Sequence, residues 1–320
     1  MRIKIHIGFH KCGSTALQFG LARSREALAA QGVIYPASHC FLEAHHQLPW
    51  VLMERKRPES EDISPAELME DWLAEAAAQQ AEVMILSSEE FEFLHPAHLQ
   101  RLKPLLKGHE VEIYVYIRPQ DEFLIAEYKQ NVRMSATSFS GTADHFYYRH
   151  QLNNRFNYLG IIHRWASQFG AANINITSYH RPSLKNQDIL ADFSDAADLP
   201  PFELPLEREH NSSWGNLTAK AMAKINRIGI APMKREQLAR ELDAITSRLG
   251  LEIDLLDAGA RAALMTSFRW SNQKLLTDFK VRGDADRLAW RKIPPDLRID
   301  QSEAMVDLLI QFIAQTIGKE

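Results

Sequence analysis

The chain has 320 residues, of which 45% are hydrophobic and 24% charged, a composition typical of a globular protein with one large domain or two small ones. A formal net charge of −4 gives no indication of nonspecific nucleic-acid binding. The two cysteines, Cys12 and Cys40, are too few for a disulfide framework and have no metal-ligand spacing. Because no apolar run reaches membrane-spanning length and no signal-peptide pattern is present, we expect a cytoplasmic protein without a membrane span.

The first predicted elements are a strand, a loop with two glycines and a helix. Apolar residues alternate over residues 3–7, which is typical of a buried strand. Gly8 and Gly13 lie in the loop that follows, and residues 14–31 are predicted as a helix that ends at Gly32. The backbone N–H groups of such a loop, together with the positive end of the helix dipole, form an arrangement that binds phosphate.

The remaining chain alternates strands and helices up to about residue 200. Ser64, Pro65 and Glu67 have the pattern of a capping box at a helix start. The further predicted elements are a strand at 33–35 ended by Pro36, a charged loop at 54–62, a helix from 65 to about 80, strands at 83–86 and 111–117, helices at 121–134 and 162–169, a strand at 174–179, and a mainly helical region after Pro200. This order predicts one α/β domain over residues 1–320, a three-layer sandwich in which helices flank a central parallel sheet, with a mainly helical part at 200–320. Functional residues are then expected at the carboxyl ends of the strands.

The position of one lysine distinguishes the glycine loop from a triphosphate-binding loop. The Walker A pattern G-x-x-x-x-G-K-[ST] has its lysine directly after the second glycine, but here Ser14 follows Gly13 and the lysine is Lys11. The glycine spacing and the hydroxyl groups are kept, whereas the lysine comes before the second glycine of the loop and not after it. This shift favours an anion with a single phosphate and a differently placed leaving bond over a triphosphate.

The stretch HIGFHKCGSTALQ (residues 6–18) resembles the 5′-phosphosulfate loop of sulfotransferases that use 3′-phosphoadenosine 5′-phosphosulfate (PAPS). The bacterial branch of that family commonly reads K-T-G-[ST]-[ST]-x-L-Q at this point, and Cys12 replaces the usual threonine. The resemblance implies a P-loop-like sulfotransferase fold in which Cys12 offers only its backbone N–H. The donor-binding residues that it implies in this loop are His10, Lys11, Cys12, Gly13, Ser14, Thr15 and Ala16.

A second stretch, IYVYIRPQDEFLIAEYKQ (residues 113–130), resembles the 3′-phosphate-binding element of the same family. Arg118 ends the predicted strand, and its guanidinium group is suited to bidentate contact with a phosphate. The family has a serine eight residues later, but this chain has Ala126, which removes one hydroxyl donor. Weaker similarities over residues 158–184, 209–213 and 268–272 follow in the family's order and extend the resemblance over most of the chain.

The resemblance implies transfer of a sulfuryl group from PAPS to a hydroxyl or amine group without a metal ion. A cation near the bridging oxygen stabilises the leaving group, and Lys11 is its predicted source. The acceptor must also lose a proton to a base. The candidates are His45 and His46, in a segment that resembles the family's HH-x-L segment, and Glu89, in a segment that resembles its SSE segment. Histidine titrates near neutral pH, so we favour His46, with Glu89 as the alternative base or as a group that orients the acceptor.

Three functions are compatible with these patterns. The first is a PAPS-dependent sulfotransferase whose acceptor is a carbohydrate, a glycolipid or a small molecule. The second is a P-loop small-molecule kinase, but a lysine beside Gly13 is missing and the strand before Arg118 lacks a Walker B aspartate. The third is a non-catalytic nucleotide-binding member of the fold, which Cys12 and Ala126 favour because both weaken the expected site. The sequence identifies neither the acceptor nor the oligomeric state.

Overall fold

The computed structural model of the protein describes residues 1–149, 153–200, 214–289 and 306–307. The strands in these residues are β1 (Arg2–Ile7), β2 (Val33–Ile34), β3 (Val83–Ser88), β4 (Glu110–Ile117), β5 (Ile174–Ser178) and β6 (Val281–Gly283). They form one sheet in the order β2-β3-β1-β4-β5-β6, and every neighbouring pair is parallel. The central strands β1 and β3 are buried almost throughout, as expected for a parallel sheet covered on both faces.

Helices connect the strands and cover the sheet. Those in the described residues are α1 (Ser14–Arg23), α2 (Arg25–Ala29), α3 (Gln47–Leu52), α4 (Pro65–Ala78), α5 (Pro96–Leu105), α6 (Gln120–Arg133), α7 (Ala143–Arg149), α8 (Asn153–Phe156), α9 (Tyr158–Phe169), α10 (Ile189–Ala196), α11 (Asn216–Ile225), α12 (Pro232–Arg248), α13 (Ala258–Asp278) and α14 (Asp286–Ala289). Helix α1 packs on α10, and α5 packs on α9. The predicted α/β fold, with a parallel sheet flanked by helices and a helical carboxyl-terminal part, is confirmed.

Local sequence signals explain several of these elements. The predicted capping box at the start of α4 is present: Ser64 Oγ accepts a hydrogen bond from Glu67 N at 3.2 Å, and Ser64 N donates to Glu67 Oε2 at 2.9 Å. Each bond satisfies a backbone or side-chain group that would otherwise lack a partner at the helix end. The charged segment at 54–62 contains neither a helix nor a strand, as predicted.

One predicted helix is divided in two in the structure, and several elements were not predicted: strand β6 and helices α3, α5, α7, α8 and α10. The helix predicted over residues 14–31 is two helices, α1 and α2, which meet at Ser24. The Ser24 hydroxyl donates to Gly20 O at 2.8 Å, and a hydroxyl bonded to the backbone one turn earlier competes with regular helix geometry. Strand β6 was not predicted, because three residues are too few to show an alternating pattern. It pairs with β5 through Gly283 and Ser178.

The chain divides into two compact units, each with its own apolar core. The described residues of the first unit are 1–118, 157–200 and 270–289, and they contain the sheet. Those of the second unit are 119–149, 153–156, 214–269 and 306–307, and they contain α6, α11 and α12. The single domain over residues 1–320 therefore stays a prediction. The similarity noted at residues 209–213 lies outside the described residues.

Candidate active site

The carboxyl ends of four strands meet at one edge of the sheet, which we call the carboxyl edge. Ile7 of β1 pairs with Ser88 of β3, and Ile117 of β4 pairs with Ser178 of β5. Strand β1 has β3 and β2 on one side and β4 and β5 on the other, so the strand order reverses at β1. Parallel sheets bind ligands in the crevice outside such a reversal. The glycine loop, which leaves β1 with Gly8 N donating to Ser88 O at 3.2 Å, lies at this position.

The conformation of the glycine loop requires its glycines. Gly13 has a φ of 83°, and a Cβ at this position would lie 2.6 Å from Ile189 Cδ1 and 3.0 Å from Tyr179 Cε2. Lys11 has a φ of 65°, which is uncommon for a residue with a side chain. Strained residues of this kind concentrate at ligand-binding and catalytic sites, and this one carries the predicted leaving-group cation.

The loop ends at an amino-terminal helix turn without a side-chain cap. Gly13 is the N-cap of α1 and has no side chain to bond the first N–H groups. Thr15 and Ala16 are exposed, whereas Ser14 is buried and its hydroxyl donates to Phe9 O at 3.4 Å. The first turn of α1 is therefore suited to an anion.

Two other loop residues differ in their surroundings from what the resemblance implies. Cys12 is 1% exposed and belongs to the apolar core, and its N–H donates to Phe9 O at 3.3 Å. In this conformation the loop itself uses this N–H, and the expectation that it serves a ligand stays a prediction. His10 Nδ1 donates to the Glu92 carboxylate at 3.0 Å, and its ring lies against Phe93. His10 therefore packs beside the segment that follows β3.

Arg118, at the end of β4, is a partly buried cation without an ion pair in the described chain. Its buried Nε makes no hydrogen bond, and its guanidinium lies 5.0 Å from the centre of the Tyr179 ring. Tyr179 directly follows β5, and the same ring closes against Gly13. One tyrosine ring thus contacts both the glycine loop and Arg118, so the two predicted anion-binding elements lie around a shared wall.

Ala126 is in the middle of α6 and belongs to the second compact unit. It is half-buried there, and its methyl group offers no hydrogen-bond donor. Its predicted place beside the 3′-phosphate stays a prediction.

His45 is held by the backbone on both sides of its ring. Its Nδ1 accepts a hydrogen bond from Ser87 N at 3.1 Å, and its Nε2 donates to Pro36 O at 3.2 Å. The ring is fully buried, and burial lowers its pKa to about 3. With both nitrogens bonded to the backbone, His45 has no atom left to receive an acceptor's proton, so the geometry disfavours it as the base.

His46 has a different environment although it is the next residue. Its Nδ1 lies 2.7 Å from Ser88 Oγ, whereas its Nε2 has no hydrogen-bond partner in the described structure. Its ring stacks on Trp50 with 5.4 Å between the ring centres. Burial lowers its pKa, although the negative charges of Glu89 and Glu90 oppose that shift. His46 is therefore neutral at neutral pH and has one nitrogen that could accept a proton.

Glu89 begins the turn after β3, half-buried at the same edge. Burial by itself would raise its pKa, but the nearby His10 and His46 and a hydrogen bond from Gln18 outweigh burial and lower it. Gln18 Nε2 donates to Glu89 Oε2 at 2.7 Å. Glu89 is therefore a carboxylate at neutral pH and a weaker base than its burial alone would make it.

The structure adds three groups that the sequence patterns missed. Tyr179 was predicted only as a strand residue, and the useful signal was its position directly after a buried strand at the carboxyl edge. Arg55 donates to Glu90 at 3.0 Å, and Arg57 lies 3.9 Å from the same carboxylate, so the charged loop at 54–62 borders the site. No local signal reveals these ion pairs, because they join residues more than thirty positions apart.

In the described ranges, no three His, Cys, Asp or Glu side chains are grouped so that they could hold a metal ion. The prediction of a metal-free reaction stays a prediction. None of the helices in those ranges is both long enough and apolar enough to cross a membrane.

No model of a known protein family matches the chain. An uncharacterized protein of Archaeoglobus fulgidus is 26% identical over 202 residues, which cover 61% of this chain. The match spans 53% of the curated relative, about half of its length. Among solved structures, a sulfotransferase from Alicyclobacillus acidocaldarius aligns with 74% of this chain and 99% of its own, at 13% identity and a TM-score of 0.43. Similarity at this level does not establish a shared activity.

Proposed function

We propose that the protein transfers a sulfuryl group from PAPS to a hydroxyl or amine group of an acceptor. The observation that carries this proposal is the pair of anion-binding elements around Tyr179. The glycine loop, which includes Lys11, approaches this ring at Gly13, and the Arg118 guanidinium lies 5.0 Å from the ring centre. Two separated cationic positions suit a nucleotide with two separated anionic groups, such as a 5′-phosphosulfate and a 3′-phosphate, better than they suit a linear triphosphate.

The loop residues have distinct roles in the proposed reaction. The uncapped first turn of α1, with exposed Thr15, provides N–H groups for the 5′-phosphate oxygens. Lys11 stabilises the charge that develops on the bridging oxygen as the sulfur–oxygen bond breaks. Arg118 binds the 3′-phosphate, and the Tyr179 ring holds the guanidinium plane in place.

His46 is the proposed general base. The Ser88 hydroxyl accepts from Glu90 N at 3.1 Å and has a second lone pair for an Nδ1–H of His46. That tautomer leaves His46 Nε2 unprotonated and able to receive the acceptor's proton. Glu89 keeps a negative charge nearby, which stabilises the imidazolium that forms.

The acceptor belongs to the proposal only as a class: a carbohydrate, a glycolipid or a small molecule with a hydroxyl or amine group. A non-catalytic role is the second candidate, because Cys12 turns into the core and Ala126 lacks a hydroxyl. In that case the protein would bind the nucleotide without transferring the sulfuryl group.

A radiochemical assay tests the proposal. The protein is incubated with ³⁵S-labelled PAPS and a panel of sugars, glycolipids and small alcohols and amines, and both labelled products and free sulfate are counted. We expect labelled product or accelerated release of sulfate, both lost in Lys11→Ala. Binding of the nucleotide without either reaction would support the non-catalytic role. Transfer of the γ-phosphate of ATP in the presence of Mg²⁺, without sulfuryl transfer, would show that the protein is a kinase.

A further inference from the structure

Gln18 lies in α1 at the end of the glycine-loop motif, and the proposed reaction does not use it. Its side chain is 2% exposed, so its amide has no access to solvent. The amide nitrogen donates to Glu89 Oε2 at 2.7 Å and lies 3.3 Å from Ser87 Oγ. A buried amide with two side-chain partners from another strand end has a fixed orientation.

The hydrogen-bonded chain continues from Ser87 into the sheet. Ser87 Oγ lies 2.8 Å from Nδ1 of His6, a fully buried residue of β1. Burial lowers the pKa of His6 to about 4, so this imidazole is neutral at neutral pH. A hydroxyl that accepts from Gln18 keeps its own proton to donate to His6 Nδ1. His6, Ser87 and Gln18 are thus three neutral groups in this hydrogen-bonded series, and its charge lies at Glu89.

The Glu89 carboxylate lies among groups whose titration it influences. Its charge affects the pKa values of His6, His46 and Tyr35, and its own pKa responds to His10 and His46. Glu90, His10 and Arg57 also act on His46. Among these groups, Gln18 is the one whose side chain donates a hydrogen bond to the Glu89 carboxylate.

We propose that Gln18 is a positioning residue that fixes the Glu89 carboxylate beside His10 and His46 and joins these groups to the helix that starts in the glycine loop. The assignment of His46 as the base rests on the proposed function. The link between Gln18 and Glu89 rests on their hydrogen bond, and the link from Glu89 to His46 on the effect of each charge on the pKa of the other. Both are measurable without donor or acceptor.

Two substitutions of Gln18 separate positioning from simple structural support. Gln18→Met keeps the length of the side chain but removes the donor, so Glu89 should protonate more readily and lose its fixed position. The pKa of His46 should then fall by about half a pH unit to one pH unit, because it loses a nearby negative charge. Gln18→Glu keeps the shape, and two carboxyl groups at this distance share one proton, so Glu89 stays held and the pKa of His46 should change less than in Gln18→Met.

The measurement is a pH titration of histidine side chains by NMR with ¹³C- and ¹⁵N-labelled histidine. His46→Gln identifies the signal of His46. Gln120→Met is the matched control, since it removes a buried glutamine amide of the second unit whose partner is Phe156 O. This control should leave the pKa of His46 unchanged even if it lowers stability. Circular dichroism establishes that each variant is folded.

A lower pKa of His46 in Gln18→Met, with a smaller change in Gln18→Glu, would support positioning through Glu89. Equal shifts in the two variants, or no shift in Gln18→Met, would overturn it. If Gln18→Met fails to fold, Gln18→Leu takes its place in the same comparison. The absence of sulfuryl transfer would refute the proposed function but would leave this titration result intact, so the two failures are distinguishable.

Discussion

The two edges of the parallel sheet differ in how a buried or partly buried cation is partnered in the described residues. At the amino edge, where the strands begin, Lys4 is 2% exposed and bonds to Glu112 and to Tyr114 OH. At the carboxyl edge, Arg118 has a buried Nε without a hydrogen bond and contacts the face of Tyr179. A buried charge is costly unless it is paired, so a partly buried guanidinium without an ion pair at a strand end is a candidate position for an anionic ligand.

The opposite edge of the sheet also has a cavity. A cavity of about 1000 Å³ lies at the amino edge, between the starts of β1 and β4 and the ends of α5 and α9. Its lining mixes cations such as Arg2 and Lys103 with anions such as Glu110 and Asp198. Without a dominant charge or a strained loop, this cavity has no chemistry comparable to that of the carboxyl edge. The carboxyl edge is therefore the candidate site because of its unpaired cation and strained loop, and a cavity alone does not identify a site.

The largest expected difference between the edges is in catalysis. Lys11→Ala should lower the rate of sulfuryl release from PAPS by about 1000-fold, because one group that stabilises a developing charge contributes on this scale. Lys103→Ala, which removes a lysine from the amino-edge cavity, should leave the rate unchanged. The rates are compared by counting labelled sulfate and product. Equal effects of the two variants would remove the distinction between the edges.

His46→Gln should lower the turnover of a sulfated acceptor by about 100-fold, because the proton acceptor is lost while the hydrogen bond to Ser88 can be kept. Nucleotide binding, measured by calorimetry, should change little. The neighbouring His45→Gln variant is the control, and its turnover should stay close to that of the unchanged protein. A larger loss in the His45 variant would reverse the assignment of the base.

Acid should destabilise the carboxyl edge through its buried histidines. Burial lowers the pKa of His45 to about 3 and that of His6 to about 4, below the value in the unfolded chain. The unfolded chain therefore binds protons first as the pH falls below about 6.5, and stability present above that pH is lost toward pH 4. At pH 5 each of these two histidines should lower the free energy of unfolding by about 2 kcal/mol relative to pH 7.5.

Urea unfolding of His45→Gln at both pH values tests this loss. Glutamine can accept from Ser87 N and donate to Pro36 O as the imidazole does, but it does not titrate in this range. The acid-induced loss should therefore shrink by about 2 kcal/mol. His109→Gln, at the half-buried histidine of the amino-edge cavity, should change the loss less. An unchanged acid loss in His45→Gln would mean that His45 does not titrate as its burial implies.

The smallest expected effect is that of Lys4→Met on the nucleotide. Lys4 is at the opposite edge of the sheet from the glycine loop, and distant sites contribute independently. The dissociation constant for 3′-phosphoadenosine 5′-phosphate should change by less than about twofold, although the loss of the contacts to Glu112 and Tyr114 changes the melting temperature. A clear loss of affinity by calorimetry would show that the edges are coupled.

The sequence predicted the parts of the fold and site that depend on neighbouring residues. Buried strands, the capping box at Ser64 and the glycine loop all have short-range patterns. Arg118 could be selected from the sequence because it directly follows a predicted strand. Ser24, which interrupts a predicted helix, and the three-residue β6 were not predicted, since each depends on local geometry that a short polar or apolar run does not reveal.

The choice between the two candidate bases could not be made from the sequence. His45 and His46 are adjacent and equivalent as sequence, yet one is bonded to Ser87 N and Pro36 O while the other keeps Nε2 open. The serine partners lie forty-two positions away in the sequence and are brought to the two histidines by the fold. The link between Gln18 and Glu89 has the same origin, since seventy-one positions separate the two residues.

The central claim is that Arg118 and the glycine loop bind two different phosphates of one nucleotide. Calorimetry with 3′-phosphoadenosine 5′-phosphate and with adenosine 5′-phosphate, in the unchanged protein and in Arg118→Ala, tests it as a four-point cycle. We predict that the substitution weakens binding of the first nucleotide by about 50-fold, the scale of a lost hydrogen bond to a charged group. Binding of the second nucleotide should weaken by less than about threefold. Equal losses for both nucleotides, or tighter binding of ATP with Mg²⁺ than of either, would contradict the claim.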